Sequence, residues 1–333
     1  MKDFFTLKYE NDKFIFIDQT KLPLEEVYVE TDNYARIAEA IERLEIRGAP
    51  AIGIAAAYGI VVALKNIQSE YEYHFNVAYQ RLKRTRPTAV NLFWALDEMK
   101  KIFQLQNDFI DIYDKLKARA IEIHNEDIIS CDKIGENGIE LLENDSVILT
   151  HCNTGQLATG GAGTAFSVLK KGFEVGKIRF VYADETRPLL QGSRLTAFEL
   201  SKSNIPFDIL TDSSAAFLMK QRKIDAVIVG ADRIAKNGDT ANKIGTYNLA
   251  ILCNYYKIPF YIAAPISTID FSINSGDEIK IEMRGSEEIS HIRGIKVTKE
   301  EYSTYTPAFD VTPNELITAI ITDKQVYKQP FNL

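Results

Sequence analysis

The side chains of this sequence best equipped for chemistry stand just past short apolar runs. Cys152 follows Val147, Ile148 and Leu149 and opens a loop with a glycine cluster at Gly160, Gly161 and Gly163. A helical apolar pattern then begins with Ala165, Phe166, Val168 and Leu169. Strand, glycine-rich loop and helix in that order gather free backbone N–H groups, which can hold an anion such as phosphate and favour the thiolate of a nearby cysteine. The loop matches neither of the two common nucleotide-binding glycine motifs. A free cysteine is also a common small core residue, and no histidine has an evident pairing with Cys152. Its neighbour His151 points to the other face of an extended chain, so a protease-like Cys–His pair is not supported.

Asp232, in VIVGADRIAKNGDTANKIG, follows a second apolar run. Helix capping is its plain structural role. Burial between Gly230 and Ala231 would instead raise its pKa and keep it protonated as an acid. Asn242 and Lys243 follow, read as the start of a helix over 241–256, where phosphate or sugar hydroxyls can be held. Arg47 beside Gly48, and Arg86 beside Pro87, are loop arginines. Such arginines make surface ion pairs or clamp phosphate in bidentate fashion. Asp184, Glu185 and Arg187 read as a salt-bridge and capping cluster. No His, Cys and Asp spacing suggests a metal site.

The elements that must place these groups fall into two parts. Residues 4–30 read as short strands with a turn at Asn11-Asp12. Asp32 is placed to cap a helix through Tyr34, Ile37, Ala38, Ile41 and Leu44. Pro50 stands at the start of a helix ending at Leu64, with Ala, Gly and Ile on nearly every side, so its neighbours must approach closely. A polar helix near 74–84, one carrying Leu92, Phe93, Trp94, Leu96 and Met99, and a long one with Ile110, Tyr113, Leu116, Ala120 and Ile123 on one face complete residues 1–120, a mainly helical domain. From 121 to 333 the pattern alternates. Apolar runs at 146–150, 178–183, 207–211, 225–230 and 259–263 are separated by helical patterns at 163–171, 189–203, 213–222 and 241–256. That is the signature of a parallel, doubly wound sheet. Parallel strands share one carboxyl edge, so Cys152, Asp184, Glu185, Asp212, Asp232 and Arg233 are expected to converge on one crevice.

Composition narrows the function classes. A 46% hydrophobic fraction is ordinary for a globular protein. A formal net charge of −7 argues against broad capture of nucleic acid or anionic membrane. Three widely spaced cysteines make no disulfide framework and fit a reducing compartment. The amino terminus has no signal-like apolar core, and the longest apolar run, 51–64, is too short for a membrane span. A cytoplasmic protein is expected.

Taken together, RGAPAIGIAAAYG, RPTAVNL, THCNTGQLATGGAGTA, DETRPLLQGSRLTAFEL, VGADRIAKNGDTANKIGTYNLA and PAFDVTPNELITAII resemble the methylthioribose-1-phosphate isomerase family, from about Asp18 to Ile321. The resemblance implies α/β architecture: a smaller, mainly helical domain with a few N-terminal strands, then a Rossmann-like domain. It implies an aldose–ketose isomerase of methionine salvage that uses no cofactor and no metal, and that forms a homodimer. By motif match the catalytic cysteine falls on Cys152 and the catalytic acid on Asp232. The substrate contacts fall on Arg47, Gly48, Ala49, Arg86, Gln191, Asn242 and Lys243. GGAGTAF, TDSSAAFLM and IEMRGSEEI depart from the family pattern and bear on the group at the far end of the sugar. They leave 5-deoxyribose 1-phosphate and ribose 1,5-bisphosphate as alternative substrates. A non-catalytic regulatory subunit of the translation-initiation type is the alternative of another class, and it has no need of the Cys152 and Asp232 pair.

Overall fold

A computed structural model describes residues 4–86, 89–105, 111–331 and 333, so Pro87, Thr88 and Ile110 of the features above lie outside the described residues. The chain divides into two compact units, 1–132 with 155–163, and 133–154 with 164–333. Among the described residues no helix is long and apolar enough to cross a membrane.

In the first unit β1 (Leu7–Glu10), β2 (Lys13–Ile17) and β3 (Tyr28–Thr31) form an antiparallel meander. Asn11 and Asp12, both left-handed (φ 50° and 58°), make the two-residue turn between β1 and β2, a conformation that suits the twist of a hairpin. Helix α1 (Tyr34–Glu42) is capped by Asn33, whose side-chain oxygen accepts the Ala35 N–H at 2.8 Å. The cap is thus Asn33 and not Asp32, because Asn33 is the last extended residue before the helix. Helix α2 (Ala49–Leu64) is buried almost all round, and a Cβ at Gly53 would lie 2.7 Å from the Asn91 carbonyl oxygen. Small residues therefore let the backbone of α4 (Val90–Gln104) come close, beside α3 (Tyr71–Lys83). Helix α5 (Ile112–Ile139) runs through residue 120 without a break and supplies Leu116, Ala120 and Ile123 to the same core.

The second unit is built on a seven-stranded sheet. Its strands are β4 (Ser146–Thr150), β5 (Ile178–Asp184), β6 (Phe207–Leu210), β7 (Ala226–Val229), β10 (Phe260–Ala263), β15 (Ala319–Ile321) and β16 (Val326–Lys328). Five of them lie on the apolar runs of the sequence. The spatial order is β16-β15-β10-β7-β4-β5-β6, parallel except for the edge strand β16. β4, β7, β10 and β15 are buried along their whole length, and burial on both faces is what makes these inner strands mainly apolar. Ile148, Val181 and Ile228 face one core with α6 (Ala165–Glu174) and α7 (Ala197–Lys202). Leu149, Val227, Val229 and Ile262 face the other, with α8 (Ala215–Lys220) and α9 (Thr246–Tyr256).

A small second sheet, β11-β8-β9-β14, joins β8 (Arg233–Ala235), β9 (Thr240–Lys243), β11 (Ile269–Asp270) and β14 (Phe309–Thr312). A two-strand ribbon, β12 (His291–Ile292) and β13 (Ile295–Lys296), stands apart from it. The expected helix over 241–256 is corrected here. Residues 240–243 are strand, and the helix starts at Thr246 after the left-handed Gly245, because β9 pairs with both β8 and β14.

Candidate active site

Strand order decides where a ligand can enter. Chain order runs outward from β4 to β5 and β6, then returns to the other side of β4 with β7, β10 and β15. The β4/β7 boundary is the reversal point, where open α/β sheets leave a crevice beyond their carboxyl ends. Cys152 leaves β4 and Asp232 leaves β7, so the two stand beyond neighbouring strand ends. Two contacts fix that proximity. The Thr150 hydroxyl donates to the Ile228 carbonyl at 2.8 Å, and a Cβ at Gly230 would lie 2.6 Å from the Thr154 methyl. Any larger residue at 230 would push the two segments apart.

Cys152 is a free, buried thiol whose backbone takes the left-handed conformation (φ 65°). Its N–H donates to the Thr186 hydroxyl at 2.8 Å, and its carbonyl accepts from the Thr196 hydroxyl at 2.6 Å. Asp232 is half-buried, not enclosed as expected, because the chain leaves the sheet there to enter β8. Its N–H donates to the Ala241 carbonyl at 2.9 Å. The β8–β9 pairing sets Arg233 opposite Ala241, which brings Asp232 to the level of Asn242.

Asn242 and Lys243 are buried on β9. Asn242 Nδ2 donates to the Thr246 hydroxyl at 3.0 Å. Lys243 Nζ donates to the Ala308 carbonyl at 2.9 Å and sits 4.6 Å from the centroid of the Phe309 ring. Gln191 is 3% exposed, and its Oε1 has no hydrogen-bond donor. A buried acceptor left open in this way suits a ligand hydroxyl or N–H.

In the first unit Arg47 is half-buried, and Gly48 caps α2 with φ 90° and ψ 136°. Glycine is required there for two reasons: the positive φ, and a virtual Cβ only 2.4 Å from the Ala158 backbone. Arg47, Gly48 and Ala49 thus stand at the start of a 16-residue helix, whose first N–H groups can receive an anion. Arg86 is half-buried beyond α3.

Sequence reasoning missed a pair formed by the residue next to Cys152 in the chain. His151 Nδ1 lies 2.9 Å from Asp184 Oδ2, and its Nε2 donates to the Ile244 carbonyl at 2.9 Å. Burial raises the Asp184 carboxyl to a pKa of about 6, against the opposing pull of the His151 hydrogen bond. Burial alone would lower His151, but the Asp184 hydrogen bond and charge outweigh it, and the ring is shifted up. Asp212 accepts the N–H groups of Thr186 and Arg187, one on each oxygen, both at 2.7 Å. Asp184, expected in an ion pair and capping cluster, serves His151, and Asp212 does the capping. His151, Asp184 and Asp212 also form the one grouping among the described residues with the compactness of a metal site. Both His151 nitrogens and both Asp212 oxygens have protein partners, whereas the buried Asp184 Oδ1 has none. The signal that could have found the His151–Asp184 pair is that Asp184 ends the strand beside the one His151 leaves.

Comparison with known proteins adds descent to this geometry. The initiation factor 2 subunit family matches residues 45–329. A methylthioribose-1-phosphate isomerase of Caldicellulosiruptor saccharolyticus is 53% identical over 331 residues, covering 97% of this chain and 96% of the relative. The crystal structure of 5-methylthioribose 1-phosphate isomerase from Pyrococcus horikoshii OT3 superposes with a TM-score of 0.95 at 42% identity, covering 100% of this chain and 94% of that one. The structure of translation initiation factor eIF-2B, subunit delta, from A. fulgidus gives 0.89 at 39% identity, covering 99% and 97%. The chain belongs to the initiation factor 2 subunit family and, within it, to the methylthioribose-1-phosphate isomerases.

Proposed function

We infer that this chain converts 5-methylthioribose 1-phosphate into 5-methylthioribulose 1-phosphate, an aldose–ketose isomerisation of methionine salvage. The observation that carries the reading is the placing of a thiol and a carboxyl, Cys152 and Asp232, beyond neighbouring strand ends at the reversal of strand order. A non-catalytic subunit on this fold would need neither group there.

The chemistry follows from the substrate. A sugar phosphorylated at its anomeric oxygen cannot open by losing a hydroxyl proton, so the bond from C1 to the ring oxygen must break. The ring oxygen leaves with the bonding pair and needs a proton, which Asp232 supplies as general acid. A hydrogen then moves from C2 to C1 while the C2 hydroxyl loses its proton and becomes the ketone. By the proton route the Cys152 thiolate takes the C2 proton and returns it to C1. By the hydride route the hydrogen migrates with its electron pair, and Cys152 lines the path. Either way one proton enters the ring oxygen and one leaves the C2 hydroxyl, so the reaction needs no net oxidant.

Lys243, Asn242 and Gln191 are assigned to the sugar phosphate and its hydroxyls. Arg47, Arg86 and the N–H groups at Gly48 and Ala49 are assigned to substrate holding, consistent with the helix start they occupy. A homodimer is part of the reading. Tyr247, Ile251 and Tyr255 form an exposed apolar stripe along α9, and Phe217 is exposed on α8, which packs on α9. A cytoplasmic setting fits three free, buried cysteines. The test is turnover of 5-methylthioribose 1-phosphate, 5-deoxyribose 1-phosphate and ribose 1,5-bisphosphate by the purified chain. The highest kcat/KM is expected for the methylthio sugar. Preference for either other sugar would reassign the substrate, and no turnover of all three would overturn the enzyme reading.

A further inference from the structure

The backbone of Cys152 is held by groups to which no part of the reaction assigns a role. Few residues other than glycine take the left-handed region, and a β-branched residue there is an outlier. Yet Cys152 and Thr186 both take it, each with φ 65°. Thr186 is held by the Asp212 carboxylate, which grips its N–H and that of Arg187. The Thr186 hydroxyl donates to the Asp184 carbonyl at 3.0 Å, which turns an oxygen lone pair toward the Cys152 N–H at 2.8 Å. On the other side the Thr196 hydroxyl binds the Cys152 carbonyl and accepts from Asn153 Nδ2 at 3.3 Å. Thr186 and Thr196 are 0% and 2% exposed, so water cannot replace these partners. Unusual backbone conformations persist only where the surroundings over-determine them, and they cluster at functional sites.

We propose that Thr186 is a positioning residue for Cys152: its hydroxyl holds the Cys152 peptide in the left-handed conformation and so sets the direction of the thiol. The proposal rests on the reading of Cys152 as the thiol of the reaction. Removing the Thr186 hydroxyl lets the chain at Cys152 relax toward ordinary φ and swings the side chain away from the reacting carbons.

The experiment uses the full-length protein with Thr186→Val, which keeps shape, and Thr186→Ser, which keeps the hydroxyl. It measures kcat, KM and the pH profile of Cys152 alkylation by iodoacetamide, followed by mass spectrometry. Thr186→Val should lower kcat by about 100-fold, the scale of a 1 Å misplacement, with KM changed by less than about threefold. Its alkylation profile should be displaced from wild type, and Thr186→Ser should restore both. Wild-type kcat, or a lowered kcat with an unchanged alkylation profile, would overturn the proposal. Should Thr186→Val not fold, Thr186→Ala, which also lacks the hydroxyl that accepts the Cys152 N–H, is read in the same way. Full turnover by Cys152→Ser would instead sink the reading of Cys152, while the alkylation profile of Thr186→Val still judges the positioning claim.

Discussion

Gln191 offers a buried oxygen with nothing to accept from, so its value to the protein should appear in binding and not in folding. Gln191→Leu keeps much of the shape and removes an unsatisfied polar atom, so the melting temperature should hold or rise. Loss of one substrate hydrogen bond should lower kcat/KM by about 3–10-fold, the worth of roughly 1 kcal/mol. A fall in melting temperature with unchanged kcat/KM would make Gln191 a structural residue. At this scale the sequence marked which residues stand at strand ends but not which of them pair, so the His151–Asp184 contact was missed. Cys152 and Asp232 are visible that way, because an apolar run that breaks at a polar residue marks a carboxyl edge. Gln191 came only from resemblance, since a glutamine in a helical stretch has no spacing of its own. The hydroxyls of Thr186 and Thr196 were silent too, because a positive φ at a threonine leaves no trace in composition or periodicity.

The glycine-rich loop is secured by single side chains from helices of the first unit. His124 of α5 donates from Nε2 to the Gly160 carbonyl at 3.3 Å, while Nδ1 accepts the Tyr58 hydroxyl of α2 at 3.2 Å. This is the neutral tautomer, and burial lowers the His124 pKa by penalising the imidazolium. Burial likewise keeps the Tyr58 phenol protonated. Between the lowered folded value and the ordinary value of about 6.5, the unfolded chain binds a proton that the folded one refuses. Stability from His124 is therefore complete above about pH 6.5 and is lost as pH falls, by at most about 1.4 kcal/mol per pH unit. Urea midpoints at pH 7.5 and 5.5 should fall further in the wild type than in His124→Gln; equal falls would contradict this. Five strands of the large sheet, β4, β5, β6, β7 and β10, were legible as apolar runs, and burial on both faces is what leaves β4, β7 and β10 mainly apolar. Strands β8, β9 and β14 were not. They are short and partly polar, and β9 pairs with β14 from a distant part of the chain (Asn242 opposite Asp310), so no local pattern shows them.

For the whole molecule, the exposed stripe of Tyr247, Ile251 and Tyr255 predicts a dimer in solution. Light scattering should give twice the chain mass, and Ile251→Glu should shift the population to monomer while circular dichroism stays unchanged. A monomeric wild type across working concentrations would count against it. The two-part α/β architecture was readable because helical and alternating patterns divide the chain, and the parallel sheet makes distant strand ends neighbours. Two side chains carry the proposed chemistry, so the most direct measurement pairs them. Turnover of 5-methylthioribose 1-phosphate and affinity for the ketose product are measured in Asp232→Asn and Cys152→Ser. Asp232→Asn keeps size and polarity without a transferable proton, and each variant should lose about 10²–10⁴-fold in turnover while product affinity changes little. Near-normal turnover in either folded variant would contradict the account, and lost affinity in Asp232→Asn would recast Asp232 as a residue that holds substrate.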